Sequence, residues 1–591
     1  MKNPEISKLS KIEAMNLRKV KLMRKFTTRL TIYTLLLTII LTACQAVPTL
    51  APPTEPPAQA TPTRAATATV EQPPEPTPSA TNQPPVYVYQ GNADLPEGLE
   101  QLVAQQNLPQ PQGSPNEIAY SFDFNNANPV GNWVYALVAP FPTVSEEVSF
   151  DWLRNLWQGQ PEDVINTLLV NEDDLSALSS VLGEPADTVR SAPKDHLLES
   201  AWTAQHTWAI IPFENLEPRW KVLSIDGQSP IHKDFSADQY PLNIQISASP
   251  IGPGEDFSLP PELEAVHLSN LDSSKITTVM LTGVTALVRA TAVGMDQRGV
   301  LAPAEHLAPI MQEADILHIS NEVPFAENCP AHTTGSYLVF CSPENYMELL
   351  RYIGTDIVEL TGDHFQDYGE EGMLYTLELY QEEGLPVYGG GKDIFDARAP
   401  VKLEVNGNKI AFIGCNAKSP NFARASETST GAYHCDMDYM AQAVRDLRDE
   451  GYLPIATFQH EEVYTWSPVH AIERDFKIVA DAGAIIASGS QAHVPHYAEF
   501  YDDTFFHYGL GNLFFDQYGI QPNTDIGFLD RHVFYKGKYL GVELIPIQFL
   551  DKVQARLMTA EEKAETLAIM FDTYRMWWKD ENNQPVMPSR K

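Results

Sequence analysis

Basic side chains are scarce in this chain: 40 Lys and Arg stand against 77 Asp and Glu in 591 residues, a formal net charge of −37. Binding DNA or RNA through the phosphate backbone needs a basic face, so no nucleic acid partner is expected. Cysteine is sparse too, at five residues, and no pair has Cys-x-x-Cys spacing. That removes the usual mark of a zinc ribbon. Gly389-Gly390-Gly391 has no Lys-Ser/Thr behind it at P-loop distance, so it reads as a turn and not as a phosphate cradle. The uncharged apolar run Leu30 to Leu41 is too short for a comfortable membrane span. What is present is ample: 43% hydrophobic and 10% aromatic residues over this length suffice for two or more cores, so the chain is multi-domain and globular.

Nine Lys or Arg lie between Lys2 and Arg29, ahead of that apolar run, which is a secretory pattern. The run closes on Leu41-Thr42-Ala43-Cys44, which resembles the lipobox of bacterial lipoproteins. The resemblance implies that residues 1–44 are a lipoprotein signal peptide and lipobox. Cys44 would then be lipidated, holding the chain by a membrane anchor on the extracytoplasmic face of the bacterial cell membrane. Residues 45–85 are nearly all Pro, Thr, Ala, Glu and Gln. Such a composition buries too little apolar surface to offset ordering entropy, so a disordered tether is expected. At roughly 3 Å per residue it would reach up to about 120 Å. Export permits disulfides among the other four cysteines, with three connectivities open. Pairing Cys329 with Cys341 and Cys415 with Cys435 is the simplest.

Residues 86–262 mix strand-like runs (Trp133 to Val138, Trp208 to Pro212, Trp220 to Ile225) with helical spacing at Phe150 to Trp157 and Asp195 to Ala204. They read as a smaller α/β domain. Ser149 to Gly159, Trp208 to Phe213 and Lys221 to Gly227 resemble pieces of periplasmic solute-binding proteins of the phosphate-binding type. From Ile276 the pattern alternates regularly. Strands are expected at Ile276–Thr282, Ile316–Ser320, Ile357–Thr361, Ile410–Gly414, Leu453–Phe458, Ala484–Ser488 and Phe505–Tyr508. Helices are expected between them at Ala304–Ala314, Pro343–Ile353, Glu370–Glu383, Asp438–Glu450 and Val469–Ala482. A further strand at Leu540–Phe549 and a helix at Thr559–Trp578 complete residues 276–549 and the C-terminal part, 550–591.

In open α/β sheets ligands collect beyond the carboxyl ends of strands, and here those ends are polar. They read Thr282-Gly283-Val284 through Arg289, Ser320-Asn321-Glu322, Thr361 through Gly369, Phe458 through Glu462, Ser488 through His493, and Tyr508 through Asp516. In order and spacing these six clusters resemble the CapA family of capsule and poly-γ-glutamate synthesis proteins, whose domain is related to calcineurin-like metallophosphoesterases. The resemblance covers about Thr278 to Tyr518. It implies a metallophosphoesterase-like β sandwich flanked by helices, with Asp, Asn, Glu and His at strand ends holding one or two divalent metals. Hard oxygens and imidazole nitrogens suit Mn, Fe, Mg or Zn.

Carried over residue by residue, the resemblance makes Glu322, Asp363, His460, His493 and Asn512 metal ligands. It makes His364 an acid or phosphate-facing imidazole, Asp367 part of the same motif, and Arg289 an anion-binding group. Three positions in two motifs depart from the family pattern. Val284 stands where the family has a ligating Asp, and Ser490-Gln491 where it has two histidines. A dinuclear site lacks donors there, while a single metal remains compatible with the rest. His318, His496 and His507 read as structural or surface residues. Glu461 and Glu462 read as a solvated edge, from which one could replace a lost ligand, and Arg289 equally suits a helix-end ion pair. Two functions follow as expectations. One is metal-dependent hydrolysis in the synthesis or processing of an acidic surface polymer, or of a phosphorylated small substrate. The other is a catalytically eroded lipoprotein that binds such a polymer or ligand; a plain solute receptor is a third, weaker fit.

Overall fold

The computed structural model describes residues 85–577, apart from 92–94, 115, 125–126, 162–164, 205, 253–258, 260–262, 264–265 and 419–422. The signal pattern, Cys44 and the Pro/Thr-rich tract lie outside the described residues. Among the described residues no helix is long and apolar enough to cross a membrane.

Residues 86–250 build a mixed sheet in the order Val86–Tyr89, Glu117–Asp123, Asn243–Pro250, Pro129–Pro140, Thr207–Pro212, Thr167–Val170 and Val189–Ser191. Its long strand Pro129–Pro140 is buried on both faces from Trp133 to Ala139, which is why that run is continuously apolar and does not alternate.

Residues 276–557 form two face-packed sheets with helices outside, the α/β sandwich expected from the alternation. The larger sheet runs Val387–Tyr388, Ile357–Glu359, Ile316–Asn321, Ile276–Thr282, Ile526–Tyr535, Lys538–Phe549 and Ala555–Leu557, with Val284–Thr285 and Asn512–Phe514 joined at one end. The smaller runs Val401–Val405, Asn408–Asn416, Leu453–Gln459, Ile486–Gly489, Thr504–His507 and Ala498–Tyr501. Val279, Leu281, Ile316 and Ile357 of the first meet Phe412, Ile455, Ile486 and Phe505 of the second in one core. The helices Met437–Asp449 and His470–Asp481 close the smaller sheet, contributing Met440, Val444 and Phe476 to that core. On the far face of the larger sheet, Met295, Met311, Leu350, Met373 and Leu377 cover Met280, Leu317 and Val358.

Strands Ile276, Ile316 and Ile357 are parallel neighbours, as are Asn408, Leu453, Ile486 and Thr504. Their carboxyl ends therefore emerge on one rim of the sandwich. Two disulfides lie in this part: Cys329–Cys341 joins loop residues, and Cys415–Cys435 ties the strand Asn408–Asn416 to the loop before the helix Met437–Asp449.

Candidate metal centre

The loops after the Ile316 and Ile357 strands touch because Gly362 has no side chain: a Cβ there would lie 2.4 Å from the Glu322 carbonyl oxygen. That contact sets Glu322 beside Asp363 and His364, and one ligand atom from each lies within 4.8 Å of the other two. Asn321, the residue before, donates from Nδ2 to the Val323 carbonyl at 2.8 Å and to the Tyr380 hydroxyl at 2.9 Å, so it shapes the turn. His364 donates from Nδ1 to Asp367 Oδ2 at 2.7 Å, and the same oxygen accepts the Phe340 N–H at 2.8 Å. The Phe340 ring lies 4.4 Å from the imidazole. Asp367 thus fixes the imidazole's tautomer and leaves Nε2 for the site.

Three residues complete the cluster from the smaller sheet. Gln459 donates from Nε2 to Asp363 Oδ1 at 2.6 Å. Lys418 Nζ lies 2.8 Å from Asp363 Oδ2 and 2.6 Å from Glu462 Oε1, bridging the two carboxylates. Its backbone N–H donates to Asn416 Oδ1 at 2.9 Å, while Asn416 Nδ2 donates to the Thr361 carbonyl at 2.6 Å and also to Gln459. Glu462 stands 3.9 Å from His493 Nε2. His493 Nδ1 is bonded to Asn512 Oδ1 at 2.9 Å, so these two residues border the cluster as a pair.

The remaining family-derived residues go elsewhere. His460 Nε2 is 3.3 Å from Asp475 Oδ2 on the helix His470–Asp481, beside a cavity lined by Phe458, Ile472, Ala492, His496 and Tyr508. Arg289 is buried, its guanidinium paired with Asp516 and flanked by the Phe340 and Phe515 rings at 5.2 and 4.9 Å. Its φ of 47° is left-handed, a strained state for arginine that the pairing holds in place. Val284 is fully buried in an apolar cluster with Ala286, Val288, Val323, Phe340 and Phe515. His318 packs inside the sandwich, its Nε2 2.8 Å from the Tyr388 hydroxyl.

Burial raises the Glu322 carboxyl to about 8, with the His364 charge opposing and the Asp363 charge adding. Burial alone would lower His364, but its bond to Asp367 and the charges of Glu322 and Asp363 outweigh that and raise it to about 9. Asp363 is lowered despite burial, chiefly by Lys418 and then by His364. Burial lowers His493.

Residues 278–517 match the family described as bacterial capsule synthesis protein PGA_cap. That segment is similar to the CapA type. The chain is similar to the PGA biosynthesis protein CapA of Bacillus subtilis (strain 168), 23% identical over 275 residues, covering 46% of this chain and 71% of that protein. It is also similar to the capsule biosynthesis protein CapA of Bacillus anthracis, 22% identical, covering 44% of this chain and 64% of that one. Among solved structures, NAD nucleotidase (NadN) of Haemophilus influenzae aligns over 52% of this chain and 62% of its own at 11% identity and a TM-score of 0.30.

Does this donor set fit a metal? Glu322 is 2% exposed and its Oε2 has no hydrogen-bond partner within the protein; neither has Oε1 of the neighbouring buried Gln491. An orphaned buried carboxylate oxygen beside a second carboxylate and an oriented imidazole fits one divalent cation. Val284, at the position where the resemblance implies a ligating Asp, offers only an isopropyl group to a second cation.

Sequence reasoning missed Lys418, Gln459 and the inward role of Glu462. A lone lysine two residues past a strand carries no motif. Its partners are set by sheet order, which brings the ends of the Asn408 and Leu453 strands together.

Proposed function

We propose that this chain acts in the synthesis or processing of an acidic surface polymer, of capsule or poly-γ-glutamate type, through a site that binds one divalent cation and an anionic or phosphorylated group. The observation carrying this reading is the convergence of Glu322, Asp363 and His364 at the strand ends of a segment similar to the CapA type. These three residues would hold the cation, which when bound polarises an oxygen of the substrate. The chain's own groups do the positioning. Asp367 orients His364, Gln459 fixes one oxygen of Asp363, and the Val284–Phe340–Phe515 wall excludes water on one side.

The proposed place of action is the extracytoplasmic face of the membrane, with Cys44 as lipid anchor. The signal pattern supports this, and so do two disulfides, which persist in oxidising compartments. The test incubates the purified full-length chain with poly-γ-glutamate and Mn²⁺ and follows polymer length. Shortening that Glu322→Gln abolishes is the expected result; neither binding nor shortening would sink the proposal. A binding-only version is favoured by one observation, the Lys418 ammonium already seated on Asp363 and Glu462. Saturable polymer binding with unchanged length would single out that version.

A further inference from the structure

We propose that Lys418 is a built-in cation of this site, and that a divalent ion entering at Glu322, Asp363 and His364 has to displace its ammonium from Asp363. The inference deepens the cation reading above and rests on it.

Four features carry it. The ammonium joins carboxylates from two separate strand ends, Asp363 at 2.8 Å and Glu462 at 2.6 Å, as a metal bridging those oxygens would. The lysine is held in that position, because its side chain is only 19% exposed and its backbone is anchored on Asn416, one residue past the disulfide-bonded Cys415. Asp363 has no idle oxygen, since Gln459 takes Oδ1 and Lys418 takes Oδ2. Glu322 Oε2, by contrast, is buried and unpartnered, so the cluster keeps a donor that Lys418 does not satisfy.

A surface ion pair would explain none of this, because such pairs are exposed and bind one partner. An ammonium is monovalent and supplies hydrogen bonds, not coordination. Its single charge offsets half of the charge of the two carboxylates and does not polarise a substrate oxygen as a metal does. The site is therefore partly neutralised at rest and takes a metal only in competition with its own lysine. Affinity for the metal alone is low, and any ligand anion that draws the ammonium away raises it.

Titration calorimetry of the full-length chain with Mn²⁺ tests this directly. Lys418→Met is expected to bind one Mn²⁺ at least tenfold more tightly than the wild type, while Lys418→Arg, which keeps the charge, stays at the wild-type value. Adding Glu322→Gln to Lys418→Met should abolish the gain, which places the ion in this cluster. Equal affinity of wild type and Lys418→Met overturns the role of Lys418 but leaves the cation reading standing. No Mn²⁺ binding by any form overturns both. A measurement on the wild type alone covers the case of a misfolded variant: saturating Mn²⁺ should raise amine acetylation of Lys418, read by mass spectrometry, and unchanged acetylation would count against displacement.

Discussion

Asp174 shows how a single buried carboxyl sets a pH dependence far from the candidate site. It is 2% exposed and accepts a hydrogen bond from the Tyr135 hydroxyl at 3.0 Å. Burial raises it to about 7, the Tyr135 bond opposing and the charges of Glu214 and Asp173 adding. An unfolded Asp ionises near pH ~4, so between there and about 7 the folded state holds a proton that the unfolded state has lost. The resulting stability is complete below the unfolded value and is lost as pH rises through about 7. A displacement of this size corresponds to about 4 kcal/mol at most. Asp174→Asn keeps an acceptor for Tyr135 and should melt level with the wild type near pH ~4 but above it near pH ~8. Parallel melting curves across that range would refute the assignment. At this scale the sequence was legible only where a motif spans neighbouring positions. Asp363, His364 and Asp367 share one short loop and were readable together, whereas His460 and Arg289 were placed by their family motifs. Their side chains follow Asp475 and Asp516, partners no local pattern announces.

Elements were read more fully than side chains. The strand Ile276–Thr282 and the helix Phe150–Trp157 have the bounds that their apolar spacing predicts. The central strand Ile526–Tyr535 went unread, because Asp530-Arg531-His532 interrupts its apolar run. Each of those polar groups finds a partner: Asp530 with His507 of the other sheet, and Arg531 with Glu543 and His532 with the Tyr539 hydroxyl on the neighbouring strand of its own sheet. A buried strand tolerates charge on that condition. Gly362 belongs to this scale, since its missing side chain lets two strand ends meet. In Gly362→Ala the new methyl would fall 2.4 Å from the Glu322 carbonyl oxygen and 2.7 Å from its Cα, backbone atoms that cannot swing aside. The expected cost is about 1–3 kcal/mol, read as a lower melting temperature, together with loss of Mn²⁺ binding as Asp363 parts from Glu322. Retained Mn²⁺ affinity would show that the close approach does not build the cluster.

Across the molecule, the N-terminal sheet and the sandwich share apolar contacts. Phe141, at the end of the long N-terminal strand, meets Phe500, Phe505 and Phe571 edge-on at 5.0, 5.7 and 5.5 Å. Val533, Tyr535 and Leu540 join the N-terminal core, and His232 lies 2.6 Å from Glu543. Such continuity predicts one cooperative unfolding transition for the described part. Phe141→Ala should lower its stability by about 3–5 kcal/mol while keeping the transition single, as calorimetry would record. Two resolved transitions in the wild type would mean that the shared contacts contribute little.

The sequence by itself determined the α/β alternation, the order of the polar strand ends and the acidic character of the chain, because these depend on local periodicity and composition. Only the tertiary structure decided which of those ends form a site. Sheet order, not proximity along the chain, places Lys418 between Asp363 and Glu462, turns His460 toward a helix and walls Val284 into an apolar cluster. An ion pair across two sheets depends on distances that no local pattern encodes.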